Sequence, residues 1–242
     1  TEPTSGTDTT RIQTFAKKVG DTYVVNGSKI WISRAEHSDL MILLCRTSPR
    51  DEAGKASDGM SVLLVDMQEA KGNGLTIKPV RTMLNHATTE LFFDNMEVPV
   101  ENLIGQEGAG FKYIIDGMNA ERILIASECI GDGKFFVDRA SAYARDRSVF
   151  GRPIGENQGV QFPIARAHVQ VMAASLMVDH AARLFEVGEP CGSEANMAKM
   201  TASEASWFAA DTCVQTHGGF GFAEEYDIER KFRETRLYQV AP

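Results

Sequence analysis

A chain of 242 residues, 43% hydrophobic and 24% charged, has the composition of an ordinary globular protein and can bury one large core or two modest ones. Its net charge of -8 works against a phosphate-binding surface, which concentrates Lys and Arg, so nucleic acid is not an expected partner. No apolar run approaches bilayer-spanning length and the opening TEPTSGTDTT lacks a signal-peptide pattern, so a soluble chain with no membrane partner is expected.

The chain opens at Thr1 directly on a loop rich in Pro, Gly, Ser and Thr, with no element before it, and stops as abruptly at Pro242. The expectation is a piece of a longer protein. Residues 24–31 place Asn26-Gly27 between two apolar runs, the dipeptide of a tight hairpin turn. Residues 40–45, 60–66, 75–80 and 90–93 are short apolar or β-branched runs bounded by Gly, Pro, Asp or Asn, and residues 48–59 are a polar loop between them. Strands at this spacing indicate an antiparallel barrel or sandwich.

The period changes at the glycine-rich junction 105–110. From Phe111, apolar positions recur at helical spacing through Ile114, Ile115, Met118, Ile123 and Ala126, and a second helix is expected over 131–147. Residues 158–187 and 193–216 read as two more, Ala- and Met-rich, and 224–238 as a short fifth. The fold class is α+β: an antiparallel β-barrel or sandwich domain over 1–106, then an antiparallel four-helix bundle over 107–242.

Cys45, Cys129, Cys191 and Cys213 form no C-x-x-C pair, so neither a zinc site nor a dithiol motif is expected, and reduced thiols in a reducing compartment are. Other candidates have plain readings when taken singly. Trp31 on a strand is usually core, Thr1, Thr7 and Ser33 usually turn or cap residues, and Gly218-Gly219-Phe220-Gly221 a helix stop. An acidic residue beside an arginine on a helix, as in Glu121-Arg122, is usually a solvated ion pair.

Together, however, Thr1-Glu2-Pro3 with Gly6-Thr7-Asp8, Asn26-Gly27-x-Lys29-x-Trp31-Ile32-Ser33, Gly108-x-Gly110-Phe111, Arg147-x-x-Phe150-Gly151, Gln158 and Gln215-x-x-Gly218-Gly219-x-Gly221 resemble the acyl-CoA dehydrogenase family, in family order along nearly the whole chain. The resemblance implies FAD as cofactor and an N-terminal helical domain upstream of this chain. It implies that Thr1, Thr7, Trp31, Ile32 and Ser33 line the isoalloxazine, with Trp31 shielding one face and Ser33 bonding the polar edge. Thr7 stands where relatives usually have Ser and keeps a hydroxyl for cofactor or substrate. Arg147, Phe150, Gln158, Gln215, Gly218 and Gly219 match the part of the family that reaches the pyrophosphate and adenosine of FAD in a neighbouring subunit, which implies a homotetramer, a dimer of dimers, with FAD at the subunit interface.

Asn119 and Arg122 match the family's contacts to the CoA arm. The family's catalytic Glu stands either on this helix, as in isovaleryl and long-chain type enzymes, or near the chain end. The terminal position lines up with Pro242, so the resemblance makes Glu121 the base. The implied reaction is removal of the pro-R α-proton of an acyl-CoA by Glu121 as the β-hydrogen passes as hydride to flavin N5, giving a trans-2-enoyl-CoA, with electrons passed to electron-transferring flavoprotein. Pro242 has no N–H to offer the enolate oxygen, so either the alignment there is shifted by a residue or the donors lie elsewhere. The base on the long helix frees room near the substrate β-carbon, favouring a branched or long acyl group. Related flavoenzymes, acyl-CoA oxidases among them, and a non-catalytic acyl-CoA or flavin binder are the competing readings. Fatty-acid β-oxidation or branched-chain amino-acid catabolism is the implied setting, in bacterial cytoplasm or the mitochondrial matrix.

Overall fold

The computed structural model describes residues 1–84 and 87–241, and the chain divides into two compact units, Thr1–Asp116 and Gly117–Pro242. The readings attached to Pro242 lie outside the described residues.

The first unit carries β1 (Phe15–Val19), β2 (Thr22–Ser33), β3 (Leu40–Arg46), β4 (Met60–Asp66), the one-turn helix α1 (Met67–Ala70), β5 (Leu75–Pro79), β6 (Thr88–Pro99) and β7 (Leu103–Ile104). They form one sheet in the order β5-β6-β2-β1-β3-β4-β7, antiparallel except for the single β1–β3 pairing. Its core draws on Leu75, Leu91 and Phe93 towards one edge and on Leu43, Leu63 and Val65 towards the other, with Tyr23 and Val25 between them. The sheet therefore curls around one apolar interior.

Two local expectations change. Asn26-Gly27 is no hairpin turn but lies inside the 12-residue β2, with the β1–β2 turn at Gly20-Asp21 instead. At Gly27, φ is +142° and the pairing with β6 slips by a residue, and a Cβ there would stand 2.7 Å from the Thr14 backbone. The dipeptide is used for a β-bulge where another segment crosses closely, and the Asn26 side-chain oxygen accepts the Asn95 N–H at 2.9 Å.

The second difference is in the helices. The two expected from residue 111 onward are a single 37-residue helix, α2 (Gly110–Asp146). Gly131 and Gly133 do not end it, because an internal helical glycine costs only ~1 kcal/mol and one of them has a packing use. A Cβ on Gly133 would meet Val171 at 2.6 Å, so the glycine lets two helices approach.

A short hairpin, β8 (Ser148–Val149) and β9 (Arg152–Pro153), leads to α3 (Gln158–Glu186), α4 (Gly192–His217) and α5 (Ile228–Leu237). Phe136 and a run of alanines fill the interior, among them Ala195, Ala198, Ala202, Ala205 and Ala209, which recur on one face of α4 and permit close helix packing. α5 is tied to α2 by Lys231 Nζ on Asp132 Oδ1 at 2.6 Å, and to α4 by the buried Ser206–Thr235 hydroxyl pair at 2.5 Å. The fold class read from the sequence, a β domain followed by a bundle of helices, is the one observed.

Candidate functional site

In the first unit the candidate residues gather where the opening loop meets the end of β2. The Thr1 carbonyl accepts the Ile30 N–H at 3.1 Å, one residue before Trp31. Glu2 and Ser5 exchange backbone hydrogen bonds, closing the turn that leads to the exposed Thr7. Trp31 sits at a second bulge of β2 with φ +63°, left-handed backbone that a non-glycine residue rarely adopts, and 58% of it is exposed. The plain reading of Trp31 as a core residue is therefore not the observed one. Ile32 is half-buried and Ser33 exposed, and both pair with β6 at Thr89 and Thr88. An exposed indole flanked by free hydroxyls is an apolar wall with donors at its edge, the chemistry a flat heteroaromatic ring needs.

Beneath this surface lies the Glu2 carboxylate, which accepts the Gln13 N–H at 2.6 Å, the Thr14 N–H at 3.0 Å and the Lys29 ammonium at 2.8 Å. Burial works against its ionised form, but these donors prevail and hold its pKa below the usual value.

The second unit collects its candidates at two ends. At the C-terminal end of α2, the Arg147 guanidinium lies 6.0 Å from the Phe220 ring, and Tyr143 stacks on His217 at 4.0 Å. This packs the loop Gly218–Phe222 against the end of α2. The Ile154 N–H donates to the Arg147 carbonyl at 2.8 Å, folding the β8–β9 hairpin back so that α3 begins with the exposed Gln158. Phe150 at the hairpin tip is fully exposed at φ +54°, and Gln215, Gly218 and Gly219 are exposed too. An exposed guanidinium together with uncovered glycine backbone suits a pyrophosphate. His217 is buried with its pKa lowered by desolvation, and its Nδ1 lies 2.9 Å from the Cys213 carbonyl.

The other end is the start of the α2 stretch in this unit. Arg122 Nη1 donates to Asn119 Oδ1 at 3.4 Å, and the Asn119 amide lies 3.7 Å from where a Cβ would stand on Gly192 at the start of α4. Glu121 is exposed and forms no hydrogen bond or ion pair with the described residues, so it is not the arginine-paired surface carboxylate of the plain reading. Lys199 on α4 donates to the Ala241 carbonyl, which brings the end of the chain to this region. Its pKa is lowered by burial, and the Arg122 charge lowers it further.

Sequence reading gave no role to Lys199, nor to the Glu2–Lys29 pair, although both members of that pair lie in quoted motifs. The available signal was two opposite charges in segments whose other residues the family resemblance assigns to the cofactor. Among the described residues, no group of three His, Cys, Asp or Glu could hold a metal and no helix is long and apolar enough to cross a membrane.

Comparison with known proteins agrees with this layout. Residues 1–96 match the family model for the acyl-CoA dehydrogenase middle domain, and residues 108–241 that for the acyl-CoA dehydrogenase C-terminal domain. An acyl-CoA dehydrogenase of Bacillus subtilis (strain 168) is 39% identical over 99% of this chain and 62% of its own. The crystal structure of an acyl-CoA dehydrogenase from Geobacillus kaustophilus superposes with a TM-score of 0.95 at 32% identity, over 99% of this chain and 63% of that one. A glutaryl-coenzyme A dehydrogenase in complex with glutaryl-CoA gives 0.92 at 32% identity, over 98% and 60%. This chain thus spans about six tenths of the length of these relatives. With both family models matched in order along it, the chain belongs to the acyl-CoA dehydrogenase family.

Proposed function

We propose that the protein carrying this chain dehydrogenates an acyl-CoA thioester at its α,β-carbons with FAD, Glu121 being the base, and passes the electrons to electron-transferring flavoprotein. The observation that carries this reading is an exposed, unpaired carboxylate at Glu121, on the same helix stretch as the Asn119–Arg122 pair. The solved relative that holds glutaryl-CoA supports a CoA thioester as substrate class. A branched or long acyl group is the expected substrate, because the base stands on α2.

The residues present fit FAD: Trp31 is an uncovered aromatic wall, Ser33 and Thr7 are free hydroxyls, and Arg147 with the exposed Gly218-Gly219 backbone offers charge and N–H groups. When bound, FAD supplies the acceptor for the β-hydrogen. Asn119 and Arg122 hold the CoA arm through its polar groups, and Glu121 takes the α-proton onto its carboxylate. Arg147 follows α2 directly and stands 26 residues beyond Glu121, about 39 Å away at roughly 1.5 Å per residue. With that separation, and with Arg147 in the part that the family resemblance assigns to a neighbouring subunit's FAD, we read the two ends of α2 as serving different flavins, a second copy holding the adenosine half. Phe162, Val169, Met172 and Leu176, exposed at helical spacing on α3, offer an apolar face for such an assembly, which we read as a homotetramer.

Stopped-flow mixing of the flavin-loaded protein with a panel of acyl-CoA thioesters tests the proposal. Glu121→Gln should keep its flavin and lose flavin bleaching by about 10³-fold. Bleaching at the wild-type rate would remove Glu121 from the mechanism. Reoxidation by oxygen faster than by electron-transferring flavoprotein would make the protein an oxidase.

A further inference from the structure

The opening loop is held by a buried ion pair between Glu2 and Lys29. Glu2 and Lys29 are 5% and 6% exposed, and both Glu2 oxygens are engaged: Oε1 takes Lys29 Nζ and the Thr14 N–H, and Oε2 takes the Gln13 N–H. Lys29 precedes Trp31 by two residues, and Glu2 follows Thr1. The ion pair therefore fastens the loop at the level where the Thr1 carbonyl accepts the Ile30 N–H. A second anchor follows, where the buried Arg46 guanidinium donates to the carbonyls of Thr10, Ile12, Ala56 and Asp58.

A buried ion pair is a poor source of stability compared with apolar side chains of the same volume, because both charges lose their hydration. Its directional bonds do fix a geometry. Here that geometry relates Thr1 and Thr7 on the loop to Trp31 and Ser33 on the strand, two segments joined at no other charged contact among those described. The strained backbone at Trp31 adds a reason for an external clamp, since left-handed φ in a non-glycine residue persists only where its surroundings impose it.

We infer that Glu2 and Lys29 are positioning residues that set the loop bearing Thr1 and Thr7 against Trp31 and Ser33, and thereby shape the flavin-facing surface without touching the flavin. This inference rests on the flavin-binding reading above.

The test uses the intact flavin-loaded protein and the variants K29M, E2Q and K29R, with two readouts besides turnover: amide hydrogen exchange over residues 1–14 and at Ile30, and the affinity and visible absorption spectrum of the bound flavin. In K29M, exchange in the loop should rise, flavin affinity should fall about ten-fold or more, and the bands of retained flavin should shift, while exchange in α3 and α4 stays unchanged. K29R should restore loop protection and the spectrum. E2Q keeps the side-chain volume and repeats the test with less risk to folding. A loosened loop with wild-type flavin affinity and spectrum would overturn the inference and leave the functional reading standing, as would an undisturbed loop. A wild-type protein that binds no flavin sinks both, and shows it before any variant is made.

Discussion

Replacing Lys231 by Met strips a buried carboxylate of its counter-ion. Asp132 on α2 is 7% exposed. Its Oδ1 holds Lys231 Nζ at 2.6 Å, and its Oδ2 is buried without a hydrogen-bond partner. Burial already raises the Asp132 pKa, and the Lys231 charge opposes that rise. Breaking a buried pair from one side costs ~3–5 kcal/mol; with Lys231 about a fifth exposed, solvent screening reduces this, and about 2–4 kcal/mol is expected near neutral pH. The reverse change is milder, because in Asp132→Asn the lysine keeps Glu234 at 3.1 Å, whereas Glu234 keeps Arg230 at 3.0 Å in either variant. About 1 kcal/mol is expected for Asp132→Asn, and the double variant should recover most of the loss.

The sign of the pH dependence follows from the raised pKa. A group that holds its proton more tightly when folded adds stability below its unfolded pKa, and that contribution is lost as pH rises through the folded value. Without Lys231 the folded value rises further, so the deficit of K231M should be largest at about pH 8 and shrink towards about pH 5. Urea unfolding of the intact protein, followed by far-UV circular dichroism at several pH values, measures it. A deficit under about 1 kcal/mol at pH 8, or an equal one for D132N, would refute the reasoning.

Two further substitutions follow from the geometry. Gly27→Ala places a methyl 2.7 Å from the Thr14 backbone at φ +142°, and should lower unfolding free energy by about 2–4 kcal/mol in the same urea assay, whereas an alanine accommodated within ~0.5 kcal/mol would mean that the bulge relaxes freely. Arg147→Lys keeps the charge but loses the planar fork above Phe220; flavin affinity by titration should fall by about ten-fold or more, with little change in the rate of bleaching once flavin is saturating.

Much of the fold was legible because local chemistry and tertiary outcome agreed. Residues 60–66 read as a strand and are one, since a short apolar-rich run between Gly59 and the helix-capping Asp66 leaves little else for the backbone to do. β1 escaped notice because Phe15–Val19 carries two lysines and only Ala16 is fully buried; its place in the sheet comes from its partners β2 and β3. The break expected in α2 was a propensity argument, and packing against α3 outweighed it at Gly133. Asn26-Gly27 was read for the backbone angle it permits, which is correct at Gly27, but the angle serves a bulge as well as a turn.

The candidate site was legible only where side chains meet something outside the chain. Trp31, Arg147 and Glu121 are exposed, and their motifs carry their chemistry because no hydrogen bond or ion pair to the described residues ties up their side chains. The charges drawn into the interior are of the opposite kind. Glu2, Lys29, Arg46, Asp132 and Lys231 belong to residue types that are solvated on average, and each is withdrawn from water by a partner far along the chain. Helical spacing could have revealed Arg230–Glu234, four residues apart, yet that pair is surface and worth little. No period links Glu2 to Lys29 or Asp132 to Lys231, so composition assigns these residues to the surface. The two pairs separate stability from position: one ties α5 to α2, the other ties a loop to the strand that presents Trp31. Loss of Lys231 should therefore be read in the unfolding free energy, and loss of Lys29 in the bound flavin.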